Sequence, residues 1–243
     1  MKSIIIGAGL FLLVFSAWAG TFVETFDNKD LDGWKEIVWH DDAPGSWENI
    51  DGELHAVNDD RVLRLLTVGD KTWRNYTIEF DVKPLKKHGS GGIVIASRIK
   101  GTSMLWCLIG DALLPTPEAR ATCYGGNLHN NTLLFIASKR SSFLTLNKWS
   151  TLKLSIQENN LTFWINGKLP LDPMEIPDLE EFPALIKEFT DFSVGGAGFG
   201  ISGYTAHFDN ITITGEGIPN RGGLSVTPQT KLATTWGALK VNP

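Results

Sequence analysis

The stretch of this chain that most constrains its fold is Lys148–Lys168, KWSTLKLSIQENNLTFWINGK. Trp149, Leu152, Leu154 and Ile156 carry an apolar beat through its first half, and Leu161, Phe163 and Ile165 carry one through its second. A period of two is that of a strand with one buried face and one facing water or a second sheet. Between the halves sits Gln157-Glu158-Asn159-Asn160, a polar cluster suited to reversing the chain, because Asn tolerates left-handed backbone angles. Asn166-Gly167 supplies a second turn. The stretch is predicted to be an antiparallel hairpin with Leu152, Leu154, Ile156, Leu161, Phe163 and Ile165 in a core. A lone hairpin cannot bury such a face, so the rest of the chain must supply more sheet.

It does so repeatedly. Asn75–Lys83, NYTIEFDVK, puts Tyr76, Ile78, Phe80 and Val82 on one face and Thr77, Glu79, Asp81 and Lys83 on the other. Ser46–Leu54 reads as strand, Asp-Gly turn, strand. Arg61–Leu66, Gly89–Arg98 (after a polar loop), Met104–Ile109 and a weaker Leu133–Ala137 read as further strands. Leu113–Asn131 reads as loop. Asp178–Phe189 has helical spacing interrupted by Pro183, so short helical turns are expected there. The predicted fold class is all-β, a two-sheet antiparallel β-sandwich with one short helical insertion. A sandwich of 243 residues is commonly one domain, and 25 glycines suit its many turns.

The first 19 residues read as a signal peptide. Lys2 gives a positive start, Ile4–Phe15 is apolar, and Ala17-Trp18-Ala19 is a small-x-small cleavage site. The apolar run is shorter than the roughly 20 residues of a spanning helix, so no membrane span is expected after cleavage. The protein is therefore expected to be secreted or periplasmic. Residues 20–215 are assigned to the sandwich. Residues 216–243 are assigned to an irregular extension, with Trp236 as its docking side chain. Net charge is −5 and there is no basic block, so a nucleic-acid partner is not expected. Two readings stand for Cys107 and Cys123: a bridge, as export allows, or two separate buried thiols.

Several motifs resemble known ones. The Trp-x-x-Leu-x-Leu hairpin ending in Phe-Trp-Ile-Asn-Gly-Lys, and the closing Phe-Asp-Asn-Ile-x-Ile-x-Gly, resemble laminin-G-like, concanavalin-type jelly rolls. The opening Glu-x-Phe-Asp-x-x-x-Leu-x-Gly-Trp and the Trp…Asp-Gly-Glu-Leu pair are two further marks of that class. Gly89–Arg98, GSGGIVIASR, resembles the Asn-Ser-Gly-(apolar)-x-x-Arg strand of the bacterial 3-keto-disaccharide hydrolase domain family. The resemblance runs from Phe22 to Gly215. It implies a concanavalin-like jelly roll with a carbohydrate or glycoconjugate partner. It also implies a structural calcium ion, held by Glu24, the carbonyl of Gly52 and Asp209. Three such ligands need further carbonyls or water, because calcium takes six to eight oxygens.

Glycoside hydrolysis needs two carboxyls astride the scissile bond. Laminarinase-type enzymes of the resembling fold carry Glu-x-Asp-x-(x)-Glu on one strand. The nearest match is Glu79-Phe80-Asp81, but Lys83 and Pro84 stand where the last carboxylate belongs. No serine elbow, His-Glu-x-x-His or phosphate loop occurs. The five histidines lack metal-ligand spacing. Among them, His88 lies where the hydrolase-like family places its sugar-facing loop. Sugar recognition needs planar rings and a few fixed polar groups. Nine Trp residues offer rings. A ligand site is predicted from Arg98 with Trp106, Trp164 and Tyr204, and Tyr124 is a further candidate ring. Trp164 lies opposite the core face of its strand, toward either a ligand or the helical insertion. The leading reading is an exported jelly-roll module that binds carbohydrate or another extracellular ligand without catalysis. The alternative is a glycoside-cleaving enzyme similar to the 3-keto-disaccharide hydrolases. A purely structural surface protein is the third possibility.

Overall fold

Two very long strands tie the fold together. The structure, a computed structural model, describes residues 19–27, 31–39, 42–111, 118–181 and 191–221. Its strands are β1 (Ala19–Glu24), β2 (Lys35–Val38), β3 (Ser46–Ile50), β4 (Glu53–Asn58), β5 (Arg64–Val68) and β6 (Tyr76–Lys100). They continue with β7 (Ser103–Gly110), β8 (Arg120–Asn127), β9 (Thr132–Arg140), β10 (Ser150–Gln157), β11 (Asn160–Ile165), β12 (Met174–Glu175) and β13 (Gly196–Glu216). Every strand pairing is antiparallel. β6 and β13 pair along most of their lengths and contribute to both layers. In the first layer their 76–87 and 204–215 halves lie between β10, β11 and β12 on one side and β4, β3 and β1 on the other. In the second layer their 92–99 and 196–201 halves lie between β7, β8 and β9 on one side and β5 and β2 on the other.

The alternating residues of the two layers meet in one core. Tyr76, Ile78, Phe80 and Val82 of β6 are buried, as are Leu152, Leu154 and Ile156 of β10 and Leu161 and Phe163 of β11. Leu154 stands opposite Phe163 and Ile78, in the predicted register. Phe199 links the layers through Phe208 (ring centroids 4.8 Å), Trp34 (5.2 Å) and Phe80 (5.4 Å), all tilted or edge-on as ring quadrupoles prefer.

The structure corrects four expectations. The polar loop before Gly89 is absent, because Lys86 and Lys87 stay paired to Thr205 and Tyr204 and β6 runs on. The loop expected over Leu113–Asn131 contains β8, whose Ala121 and Cys123 point into the core. Glycine makes β8 possible: a Cβ on Gly126 would come within 2.8 Å of the Trp106 ring. Trp149, part of the apolar beat but outside the predicted core, faces outward. It is 42% exposed on the outward side of β10. Ile165 is only partly buried, packing against the core from its rim. In the 157–160 turn the left-handed residue is Glu158 rather than an asparagine, while Asn166 and Gly167 are left-handed in the second turn. Of the helical insertion, Leu179–Glu181 is a single 3-10 turn. The rest of that insertion, the signal peptide up to Trp18 and Trp236 lie outside the described residues. β13 extends through Glu216, Ile218 is buried, and Arg221 bonds to β1 through Val23 and Thr21.

Cys107 and Cys123 form a disulfide between directly opposed positions of β7 and β8. Both sulfurs sit within the core.

Candidate functional site

The two outer faces of the sandwich differ in kind. Behind the second layer, Val94, Ala96, Met104, Trp106, Leu108 and Tyr124 form a second buried apolar cluster with Trp39, Leu63 and Leu65. β7 presents Met104, Trp106 and Leu108 there, with no carboxylate among them. The first layer's outer face is polar. Its rows run through Glu79, Asp81 and Lys83 of β6, Thr151 and Lys153 of β10, His207 of β13, and Glu53 and His55 of β4. These side chains alternate with core residues, which is why they all face outward.

An open groove of about 680 Å³ crosses this polar face, lined by Thr77, Glu79, Lys153, Gln157 and Thr212 among others. Lys153 pairs with Glu79 at 3.2 Å and its Nζ lies 5.7 Å from the Trp164 ring centre. At the other end of β10 the Nζ of Lys83 lies 4.6 Å from the centre of the Trp149 ring. Trp149 and Lys153 are four residues apart, about 13 Å along a strand. Asp81 accepts hydrogen bonds from the Thr151 hydroxyl (2.6 Å) and the Asn210 amide (3.0 Å). Glu79 and Asp81 are thus both engaged by neighbours on the sheet.

The side chains of Glu53, His55 and His207 gather beside Lys83. Burial pushes the Glu53 carboxyl up, but the His207 hydrogen bond and Lys83 outweigh it and hold the group below the usual carboxylate range. Burial lowers the His55 pKa, with the charges of His207 and Lys83 in the same sense and Glu53 opposing.

The four predicted ligand residues are not brought together. Arg98 is buried, in a left-handed conformation (φ 52°). Its backbone N–H donates to the Tyr76 hydroxyl at 2.7 Å. Its guanidinium donates to the carbonyls of Phe192 (2.6 Å), Ser193 and Glu158 (3.0 Å). Burial pulls its pKa below the ordinary arginine value. Arg98 is therefore a clamp on three backbone carbonyls, and its donors point inward. Tyr204 is buried in the main core, and Trp106 in the second cluster with its ring 5.6 Å from Tyr124. Only Trp164 is part of the polar face. His88 bonds to the Thr205 hydroxyl at 2.8 Å.

The three residues expected to hold calcium lie on adjoining segments. Glu24 pairs with Ile211, two residues after Asp209. Asp51 and Gly52 both adopt positive φ in the β3–β4 turn. A Cβ on Gly52 would lie 3.5 Å from an Asp27 carboxylate oxygen, and Asn49 donates to the Phe26 carbonyl at 2.6 Å. The Glu24–Asp27 segment is therefore folded against the Gly52 turn. This donor set is all hard oxygen, which suits calcium.

Trp149 and the Glu53, His55 and His207 group were missed in the sequence. Each of those histidines sits between inward apolar residues, Leu54 and Ala56 or Ala206 and Phe208, which was the available signal for an outward position.

Jelly-roll architecture of the concanavalin and galectin kind is borne out by solved structures. Carbohydrate-binding module CBM66 from Bacillus subtilis is similar with TM-score 0.56 and 14% identity, covering 75% of this chain and 96% of its own. A galectin-like protein of unknown function from Bacillus subtilis gives 0.59 and 12%, covering 79% and 94%. The exoplasmic/lumenal domain of VIP36, in a Ca2+/Man3GlcNAc-bound form, gives 0.50 and 9%, covering 83% and 90%. The chain belongs to the 3-keto-alpha-glucoside-1,2-lyase-like domain family, whose model matches residues 21–214. No curated protein matches the chain.

Proposed function

We propose that this protein is an exported carbohydrate-binding module that holds its ligand on the polar outer face of the first layer. The observation that carries this reading is the pair of outward indoles, Trp149 and Trp164, on a sheet face otherwise made of hydrogen-bonding side chains. Indole faces take the C–H side of a pyranose while Glu79, Asp81, Lys83, Lys153 and Thr151 meet its hydroxyls. Export is supported by the Cys107–Cys123 bridge, which persists in oxidising compartments. Among the described residues no helix is long and apolar enough to cross a membrane.

The test is binding of the purified protein to a panel of polysaccharides by affinity electrophoresis and calorimetry. Trp149→Ala and Trp164→Ala are each expected to weaken the best ligand about tenfold or more, because a buried aromatic contributes about 1.5–3 kcal/mol. Unchanged affinity in both variants would remove the face from consideration. The family match favours a second reading, cleavage of a 3-keto-glucoside. Incubation with 3-keto-glucosides separates the two: release of a free sugar sinks the non-catalytic reading.

A structural calcium ion belongs to the same proposal. Glu24, Asp209 and the Gly52 carbonyl would hold it, joining both ends of the sandwich and relieving repulsion between two carboxylates. Calcium is expected to raise the melting temperature by several degrees over chelator, as ligands that bind only the folded state do. Equal melting curves with calcium and with chelator dispose of the ion.

A further inference from the structure

We propose that Glu53, His55 and His207 form a binding site for a divalent transition metal of the zinc class, separate from the calcium residues. His55 of β4 and His207 of β13 stand directly opposite in the ladder. Their rings are stacked, with centroids 3.5 Å apart. Glu53 precedes His55 by two residues and so shares its face. Its Oε2 lies 2.6 Å from Nδ1 of His207. One ligand atom from each of the three lies within 4.8 Å of the other two, and among the described residues no other such group of three occurs. Two imidazoles and a carboxylate are a donor set zinc uses, with a fourth position left open. Donors at zinc's bond lengths lie about 3.4 Å apart, so small side-chain rotations close the set. The stacked planes, 14° apart, require one ring to turn so that its nitrogen aims between the pair. Both histidines are only partly buried, which leaves room for that turn.

Lys83 is the cation already at this place. Its Nζ lies 3.4 Å from Glu53 Oε2 and 4.6 Å from the Trp149 ring centre. A metal ion on Glu53 repels that ammonium, which keeps its contact with the Trp149 ring as it swings away from the carboxylate. Calcium does not compete, because it wants six to eight hard oxygens rather than imidazole.

The full chain, stripped with chelator, is titrated with zinc chloride in a calorimeter in the presence of excess calcium. One equivalent is expected to bind with a dissociation constant in the micromolar range or below. His55→Gln and His207→Ala should each weaken it at least tenfold, and Lys83→Met should tighten it. Cobalt chloride added to the unmodified protein should give the intense visible bands of a tetrahedral site, a readout that needs no variant. Zinc heats equal to those of the His55→Gln/His207→Ala double variant, or a cobalt spectrum like that of the aqueous ion, overturn the proposal.

Discussion

Arg98→Ala should lower the stability of the protein by about 4 kcal/mol, the largest effect expected of any single side chain outside the apolar core. The guanidinium is buried and donates to carbonyls from two distant segments, Phe192–Ser193 and the Glu158 turn of the central hairpin. Removing it leaves the buried Phe192 carbonyl without a donor and frees the partly buried Ser193 and Glu158 carbonyls, and an unsatisfied buried acceptor costs about 1–3 kcal/mol. A further loss comes from Glu158, whose left-handed conformation is held from both sides. Asn75 accepts from its N–H at 2.8 Å while Arg98 binds its carbonyl. For a chain of this size the melting temperature should fall by roughly 8–16 °C. Arg98→Lys is expected to recover only part of the loss, since an ammonium cannot span the three carbonyls as a planar fork does. Denaturant unfolding of both variants checks this. A loss below 1 kcal/mol in Arg98→Ala would mean that water replaces the clamp.

This role was not legible in the sequence. Gly89–Arg98 ends an apolar strand with a lone arginine, and the same pattern serves a residue that faces a ligand or one that turns inward. The difference is a left-handed bend at Arg98 itself, with the register shift between Ser97 and Lys100 that accompanies it. Local periodicity, by contrast, was enough for Asn75–Lys83 and for the central hairpin, because there every second residue meets the same core. It reached less far at Ile165, which has the inward parity of Leu161 and Phe163 but lies at the rim of the core. It failed in β8, whose Gly125-Gly126 imitates a turn but makes room for the rings of Phe192 and Trp106. The cluster at His207 was beyond any local pattern, since Glu53 and His207 are 154 positions apart and meet only through the β4–β13 ladder.

Loss of the Cys107–Cys123 bridge is the second large effect expected. The two positions face each other across β7 and β8 and close a loop of 16 residues. By the chain-entropy account, a loop of that length restricts the unfolded chain by about 3 kcal/mol. Cys107→Ala/Cys123→Ala should therefore melt roughly 6–12 °C below the native protein. The bridge also ties β8, whose two glycines give it few side chains to pack, to the well-buried β7. Unfolding monitored in that pair of strands by hydrogen exchange should show the largest drop in protection. Both sulfurs are fully buried, so reductant is expected to act only as fast as the surrounding sheet opens. Protein made in a reducing compartment should then melt like the double alanine variant, and oxidation should restore the difference. If the oxidised native protein and the variant melt together, the bridge adds nothing to stability. In that case the dependence of this fold on an oxidising compartment falls with it.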